Sequence, residues 1–357
     1  MERQRKLCDL LGIELPIVQA PMAGAQDPQL AVAVASAGGL ASLPCAMLSP
    51  EQIRTQVRAF RACAERSLNL NFFCHSAPSP DPARDQAWRT RLAPYYAELH
   101  APEATLPAPL RAPFDATLCE VVEELRPSAV SFHFGLPSPA LLERVRATGA
   151  VVLSSATTVA EARALEDQGC DVIIAQGAEA GGHRGMFLTD RVASQVGTLA
   201  LVPQVVDAVK VPVLAAGGIA DARGVLAAIA LGASGVQVGT AYLKCRESTV
   251  SALHRAALAA AQDDSTQLTN VFTGRPARSL VNRLVREVGP LSADAPEFPG
   301  AASALAPLRA LAEAQGASDF SPLWSGQAAA LARAESASEL TRALWSDALD
   351  LLGKLKS

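Results

Sequence analysis

"VPVLAAGGIADARGVLAAIALGASGVQVGT", residues 211–240, holds one complete structural unit. An apolar run, 211–218, stops at Gly217-Gly218. Asp221 then stands where a helix N-cap belongs, and "DARGVLAAIALG" (221–232) supplies the helix and the glycine that ends it. A second apolar run, "GVQVGT" (235–240), follows. Continuously apolar strands joined through a helix pair in parallel and are buried on both faces.

The unit recurs along the chain. Earlier runs are "LPIVQAP" (15–21), "GLASLP" (39–44), "LNLNFF" (68–73), "AVSFHFG" (129–135), "AVVLSSA" (150–156) and "DVIIAQG" (171–177), with helix-sized segments such as "TTVAEARALEDQG" (157–169) between them. Eight such repeats predict an α/β fold that closes as a (β/α)8 TIM barrel over residues 1–240, with an open doubly wound sheet as the alternative. Two spacings break the rhythm. Residues 75–114 are rich in proline and read as a loop insertion before strand four with little regular structure of its own. Residues 241–320 read as a lid on the substrate side, helical at first ("ESTVSALHRAALAAAQ") and then rich in loops. The segment 321–357 is predicted to end in helix from Ser325 onward, packed on the barrel, with "SASEL" as a capping box and Leu340, Leu344 and Leu351 on its apolar face.

Composition narrows the class of partner. A net charge of −4 and five lysines leave no basic face for nucleic acid and no polybasic membrane segment. The seven cysteines are scattered without a CxxC pair, which points to a reducing cytoplasm rather than a disulfide framework or a zinc cluster. Nothing between Asp27 and Glu51 is charged, but Gly38-Gly39 and Pro44 divide that stretch into helix, turn and strand. The expected partner is a small molecule; monomer and homodimer both stay open.

In such barrels the ligand sits at the carboxyl ends of the strands. Those ends offer Gln19, Pro21 and Met22; Asn71; His133; Ser154 and Ser155; Gln176 with His183 beyond it; Gly217 and Gly218; and Gln237, Gly239 and Thr240. The glycine-rich loops after the seventh and eighth strands predict a phosphate cradle of backbone N–H groups. Lys210 and Lys244 are poorly placed for a Schiff base, and two strand-end histidines without clustered carboxylates do not make a metal site. Amides at Gln19, Asn71, Gln176 and Gln237 suit the edge of a flat heteroaromatic ring, although buried amides also satisfy loop backbone.

"QAPMAG" (19–24), "NLNFF" (69–73), "QGAEAGGHRG" (176–185), "AAGGI" (215–219) and "VQVGTAYL" (236–243) resemble the nitronate monooxygenases, and "SFHFG" (131–135) and "SPLWSGQA" (321–328) are similar to their class I branch. The resemblance implies an FMN-containing barrel that oxidises alkyl nitronates, typically propionate 3-nitronate, with O₂ to a carbonyl compound and nitrite. It implies FMN contacts at Ala20, Pro21, Met22 and Ala23, at Asn71 and Gln176, at Gly181 with its neighbour Gly182, at Gly218 beside Gly217, and along Gln237, Val238, Gly239 and Thr240. His183 matches the histidine regarded as catalytic, either as base or as stabiliser of the anion. His133 faces the pocket or belongs to an aromatic-flanked core, and Arg184 and Glu179 read as solvent-facing or paired loop charges. The tyrosines or lysines that some class I members place in the lid have no counterpart, since residues 246–320 contain neither type. An NAD(P)H:quinone reductase, an enoyl-thioester reductase and a non-catalytic flavin-binding barrel are the competing readings.

Overall fold

The computed structural model describes residues 1–102 and 112–356. Eight parallel strands form the barrel: β1 (Ile17–Gln19), β2 (Ala41–Pro44), β3 (Leu68–Phe73), β4 (Ala129–His133), β5 (Val151–Ala156), β6 (Val172–Gln176), β8 (Val213–Ala216) and β9 (Gly235–Val238). A two-residue strand, β7 (Gly182–His183), intervenes, so β8 and β9 are the seventh and eighth staves. Pairing runs β1-β9-β8-β6-β5-β4-β3-β2, and parallel contacts between β1 and Leu40, the residue before β2, close the ring.

The pleat sorts side chains into two layers, because successive residues of a strand face opposite sides. Val172 and Ile174 of β6 point inward to a small cluster plugged by Leu7 and Leu11 of the N-terminal helix. Ile173 and Ala175 point outward under the helices. Full burial of a side chain such as Ile173 contributes about 1.5–3 kcal/mol relative to exposure, and the outer layer repeats it around the ring.

Two sequence expectations need correction. Within the proline-rich insertion, Pro82–Leu99 is an 18-residue helix, capped by the Asp81 carboxylate on Arg84 N–H with Pro82 in its first turn, where a missing N–H costs nothing. Residues 103–111, which carry most of "APEATLPAPLRAP", lie outside the described residues. The segment 241–320 is also more regular than its composition suggests. It contains helix Ala252–Ala260, an antiparallel hairpin of β10 (Thr266–Thr269) and β11 (Ala277–Leu280), and helix Ala301–Ala314. Trp88, Leu92 and Tyr95 pack with Leu305, Leu308 and Phe320, so the two excursions share one apolar cluster above the barrel mouth.

The final helix runs over Ala337–Lys356, not from Ser325; residues 325–336 are irregular apart from a short 3-10 turn, Ala329–Leu331. Its start is the predicted capping box: Glu339 N–H donates to Ser336 Oγ, and Ser336 N–H donates to the Glu339 carboxylate. The helix packs on Pro28–Ser36 and Ala222–Ala230, and Tyr242 and Thr341 share a buried hydrogen bond of 2.7 Å.

Candidate active site

A cavity of about 560 Å³ opens at the carboxyl ends of the strands. Inward-facing residues line it: Asn71 and Phe73 of β3, Ser131 and His133 of β4, Ser155 of β5, Ile174 and Gln176 of β6, and Gln237 of β9. The loops add Ala20, Pro21, Met22 and Ala23 after β1, Gly181, Gly182 and His183 after β6, Gly217 and Gly218 after β8, and Gly239 and Thr240 after β9. Three predicted strand-end residues are absent from the wall. Val238 and Gln19 pair in register and face outward; Val238 joins the outer core, and Gln19 bonds to Gln26 and to Ser42 N–H. Ser154 also faces away, donating to the carbonyls of Phe132 and Gly135.

The corner 176–185 folds back on its own side chains. Gln176 Nε2 donates to the His183 carbonyl at 2.9 Å, and its Oε1 accepts from Gly185 N–H at 2.7 Å. His133 stands between Ser155 Oγ at 3.0 Å and the His183 carbonyl at 3.2 Å. A donor must face that carbonyl, which places the proton on Nε2 and leaves Nδ1 to accept from Ser155. Burial pushes the His133 pKa down to about 4, so the ring is neutral near pH 7. His133 therefore faces the cavity but is engaged with main chain at one end.

Arg184 is not a solvent-facing charge. It is fully buried and donates to Gln176 O at 2.7 Å, Gly177 O at 2.6 Å and Gln195 Oε1 at 2.8 Å. Burial lowers its pKa to about 10, which leaves it charged at neutral pH. Glu179 accepts from Thr198 N–H and Oγ1, capping a helix (Thr198–Ala208) whose own N-cap, Gly197, has no side chain to do so.

Glycine is required where the phosphate loop was predicted. Gly217 and Gly218 have φ of +109° and +71°, and a Cβ on Gly217 would lie 2.9 Å from Ala180 N. Asp221 caps the helix after β8 as expected, donated to by Arg223 N–H. Segment 323–327 crosses beside this end. Ser325 N–H donates to Arg278 O at 3.3 Å, Gly326 N–H to Thr240 Oγ1 at 2.9 Å, and Gln327 N–H to Glu179 O at 3.0 Å. Gly181 packs so closely on it that a Cβ would meet Gly326 N at 2.5 Å.

Sequence reasoning missed the hairpin's contribution. The turn "VFTGRPAR" (271–278) places Thr273 Oγ1 2.9 Å from His183 Nε2. It also lays the Arg275 guanidinium 3.9 Å over the Phe134 ring, donating to Met186 O. Arg278 donates to Ala178 O. Phe298 and Trp324 each hold ring centroids 5.2 Å from His183. A Gly-Arg-Pro turn, Gly274–Pro276, followed by a second arginine at 278 in a lysine-free segment was the available signal. Among the described residues there is no cluster of metal-ligating side chains and no helix long and apolar enough to cross a membrane.

The residues present fit a flavin. The cavity has the size of small-molecule sites, its glycine loops expose main chain at one end, and Gln237 Oε1 is buried there with no hydrogen-bond partner among the described residues. An acceptor so placed calls for a ligand donor.

Residues 4–347 match the profile of the nitronate monooxygenase family. The chain is 44% identical over 338 residues to a nitronate monooxygenase of Pseudomonas aeruginosa, covering 94% of this chain and 96% of that one. A nitronate monooxygenase of Paraburkholderia phytofirmans is 40% identical, with 96% and 94% covered. Among solved structures, a nitroalkane oxidase from Streptomyces ansochromogenes superimposes with a TM-score of 0.88 at 37% identity, covering 98% of this chain and 99% of that one. FabK from Thermotoga maritima gives 0.75 at 28% identity, with 98% of each covered.

Proposed function

The chain belongs to the nitronate monooxygenase family, whose general chemistry is flavin-dependent nitronate oxidation, and from that premise we propose that it uses FMN and O₂ to convert an alkyl nitronate of the propionate 3-nitronate type into a carbonyl compound and nitrite. The observation that carries the reading is the meeting of His183, the Asn71 and Gln237 amides and the two glycine loops on one cavity wall.

FMN would be held by the loop Ala20–Ala23, by Asn71 and Gln237, and by the glycines at 181–182, 217–218 and 239 with Thr240. Bound there, it would supply the redox centre that passes electrons between the nitronate and O₂. The rest falls to the chain. A nitronate carries its negative charge on the nitro oxygens, and an imidazole N–H in an aromatic pocket that excludes water stabilises that charge. Phe73, Phe134, Phe298 and Trp324 surround the His183 ring and supply such a pocket. Gln176 and His133 fix the main chain from which the ring projects.

An aerobic nitrite assay with and without NADH tests the reading. Prompt nitrite release from propionate 3-nitronate, with negligible NADH oxidation, is the expected result. Rapid NADH consumption without nitrite would favour an enoyl-thioester or quinone reductase. Bound flavin with no turnover of either kind would favour a binding protein.

A further inference from the structure

We propose that Thr273 is a positioning residue that fixes which nitrogen of His183 carries the proton, an inference that rests on His183 being the residue that meets the substrate. The ring is constrained on its sides by aromatic groups: Phe298 stands at 77° to it and Trp324 at 49°. Those contacts limit tilt but do not distinguish the two nitrogens. The Thr273 hydroxyl does, because it is the polar group at 2.9 Å from Nε2, and the hydrogen bond made at one ring nitrogen decides where the other proton resides.

The direction of that bond follows from the neighbours of the hydroxyl. Its other contacts are the Arg275 carbonyl and amide, both at 3.4 Å. An O–H···O bond is ordinarily 2.5–3.0 Å long, so the Arg275 carbonyl is a poor acceptor and His183 Nε2 is the good one. The hydroxyl therefore donates to Nε2, and the neutral ring carries its proton on Nδ1. In this state His183 is a hydrogen-bond donor through Nδ1, while its Nε2 lone pair is occupied.

The hydroxyl is well placed to impose this. Thr273 is 8% exposed, and its β-branched side chain has few χ1 options. The strand that follows it, β11, also holds the main chain at His183: Ala277 pairs with His183 and Arg278 with Gly182, and Arg184 N–H donates to Pro276 O. One hairpin thus sets both the backbone position and the ring state of His183. Burial of the hydroxyl without this partner would also leave a polar group unsatisfied.

The test uses holoenzyme with ¹⁵N-labelled histidine, with Thr273→Val and Thr273→Ser as variants and His183→Gln to assign the resonances. In the wild type, His183 Nε2 should show the shift of an unprotonated acceptor and Nδ1 that of a protonated nitrogen. Thr273→Val should shift population toward the other tautomer, and Thr273→Ser should restore it in large part. With nitronate substrate, kcat should fall about tenfold in Thr273→Val, the size expected for one hydrogen bond, with a smaller change in KM and recovery in the serine variant. Wild-type spectra with the proton on Nε2, or a valine variant unchanged in both tautomer and kcat, would overturn the proposal. If the valine variant does not fold, Thr273→Ala is read in the same way. Should the wild type release no nitrite, the proposed reaction fails while the spectra still decide the role of Thr273.

Discussion

His133 Nε2 lies 3.2 Å from the carbonyl oxygen of His183, and that oxygen also accepts from Gln176 Nε2 at 2.9 Å. Two side chains from two barrel strands hold the main chain of one residue. The histidines therefore have unequal parts in the proposed reaction: His183 meets the substrate, and His133 supports it.

His183→Ala is expected to retain flavin and to lose at least about a hundredfold in kcat/KM, the lower range for removal of such a group. His133→Ala leaves Gln176 on the carbonyl and should lose on the order of tenfold. Nitrite release by both variants, normalised to flavin absorbance, gives the comparison. A His133 variant as inactive as the His183 variant would contradict the assignment.

Acid should destabilise the fold over a defined window. His133 and His254 both have pKa values lowered by burial to about 4, against an unfolded value near 6.5. Between those values the unfolded chain binds more protons, so stability rises with pH there and is lost as pH falls from about 6.5 toward 4. Each histidine contributes up to about 1.4 kcal/mol per pH unit to that slope. Tm measured from pH 7 to 4.5 should drop, and His133→Phe should drop less steeply.

Gln237→Leu removes the acceptor that has no partner among the described residues. Loss of one cofactor hydrogen bond should raise the FMN dissociation constant roughly five- to tenfold. The Tm of flavin-free protein should be unchanged or slightly higher, since a buried unsatisfied oxygen is removed with it. Titration of flavin-free enzyme and thermal melts provide both readings.

Arg184→Met should be costly without touching the cavity. It removes the guanidinium donor from the Gln176 and Gly177 carbonyls, leaving Gly177 O with Ala180 N–H. Loss of hydrogen bonds made by a buried charged group costs roughly 3 kcal/mol or more, seen as a lowered denaturation midpoint. A midpoint equal to the wild type would show that the corner does not depend on the Arg184 guanidinium.

The barrel was legible because short apolar runs alternate with helix-sized segments, several of which begin at Asp, Ser or Thr caps. The parity of each strand was legible too, though collecting strand-end residues does not use it. Applied strictly, the alternation that sends Val236 and Val238 outward sends Gln237 inward, and the same count places Ser155 and His133 in the cavity and Ser154 outside it. Arg184 was not legible: its partners are carbonyls exposed by the turn it stabilises, and such partners exist only once the turn has formed. The helix Pro82–Leu99 was hidden by prolines that stand at its start and within it. Thr273 lies 90 residues from His183 along the chain, and only the pairing of β11 with β7 brings them together.

The segment Ser325–Gln327 bonds in succession to the hairpin at Arg278, to Thr240 just after the last stave and to the glycine corner at Glu179. The hairpin and the glycine corner, already joined by the pairing of β11 with β7, are thereby tied to the barrel end in one frame. A recess built this way is preorganised, with its shape set before any guest arrives. Calorimetry of FMN association should then show the modest heat-capacity change of a rigid host, well short of the signature of coupled folding.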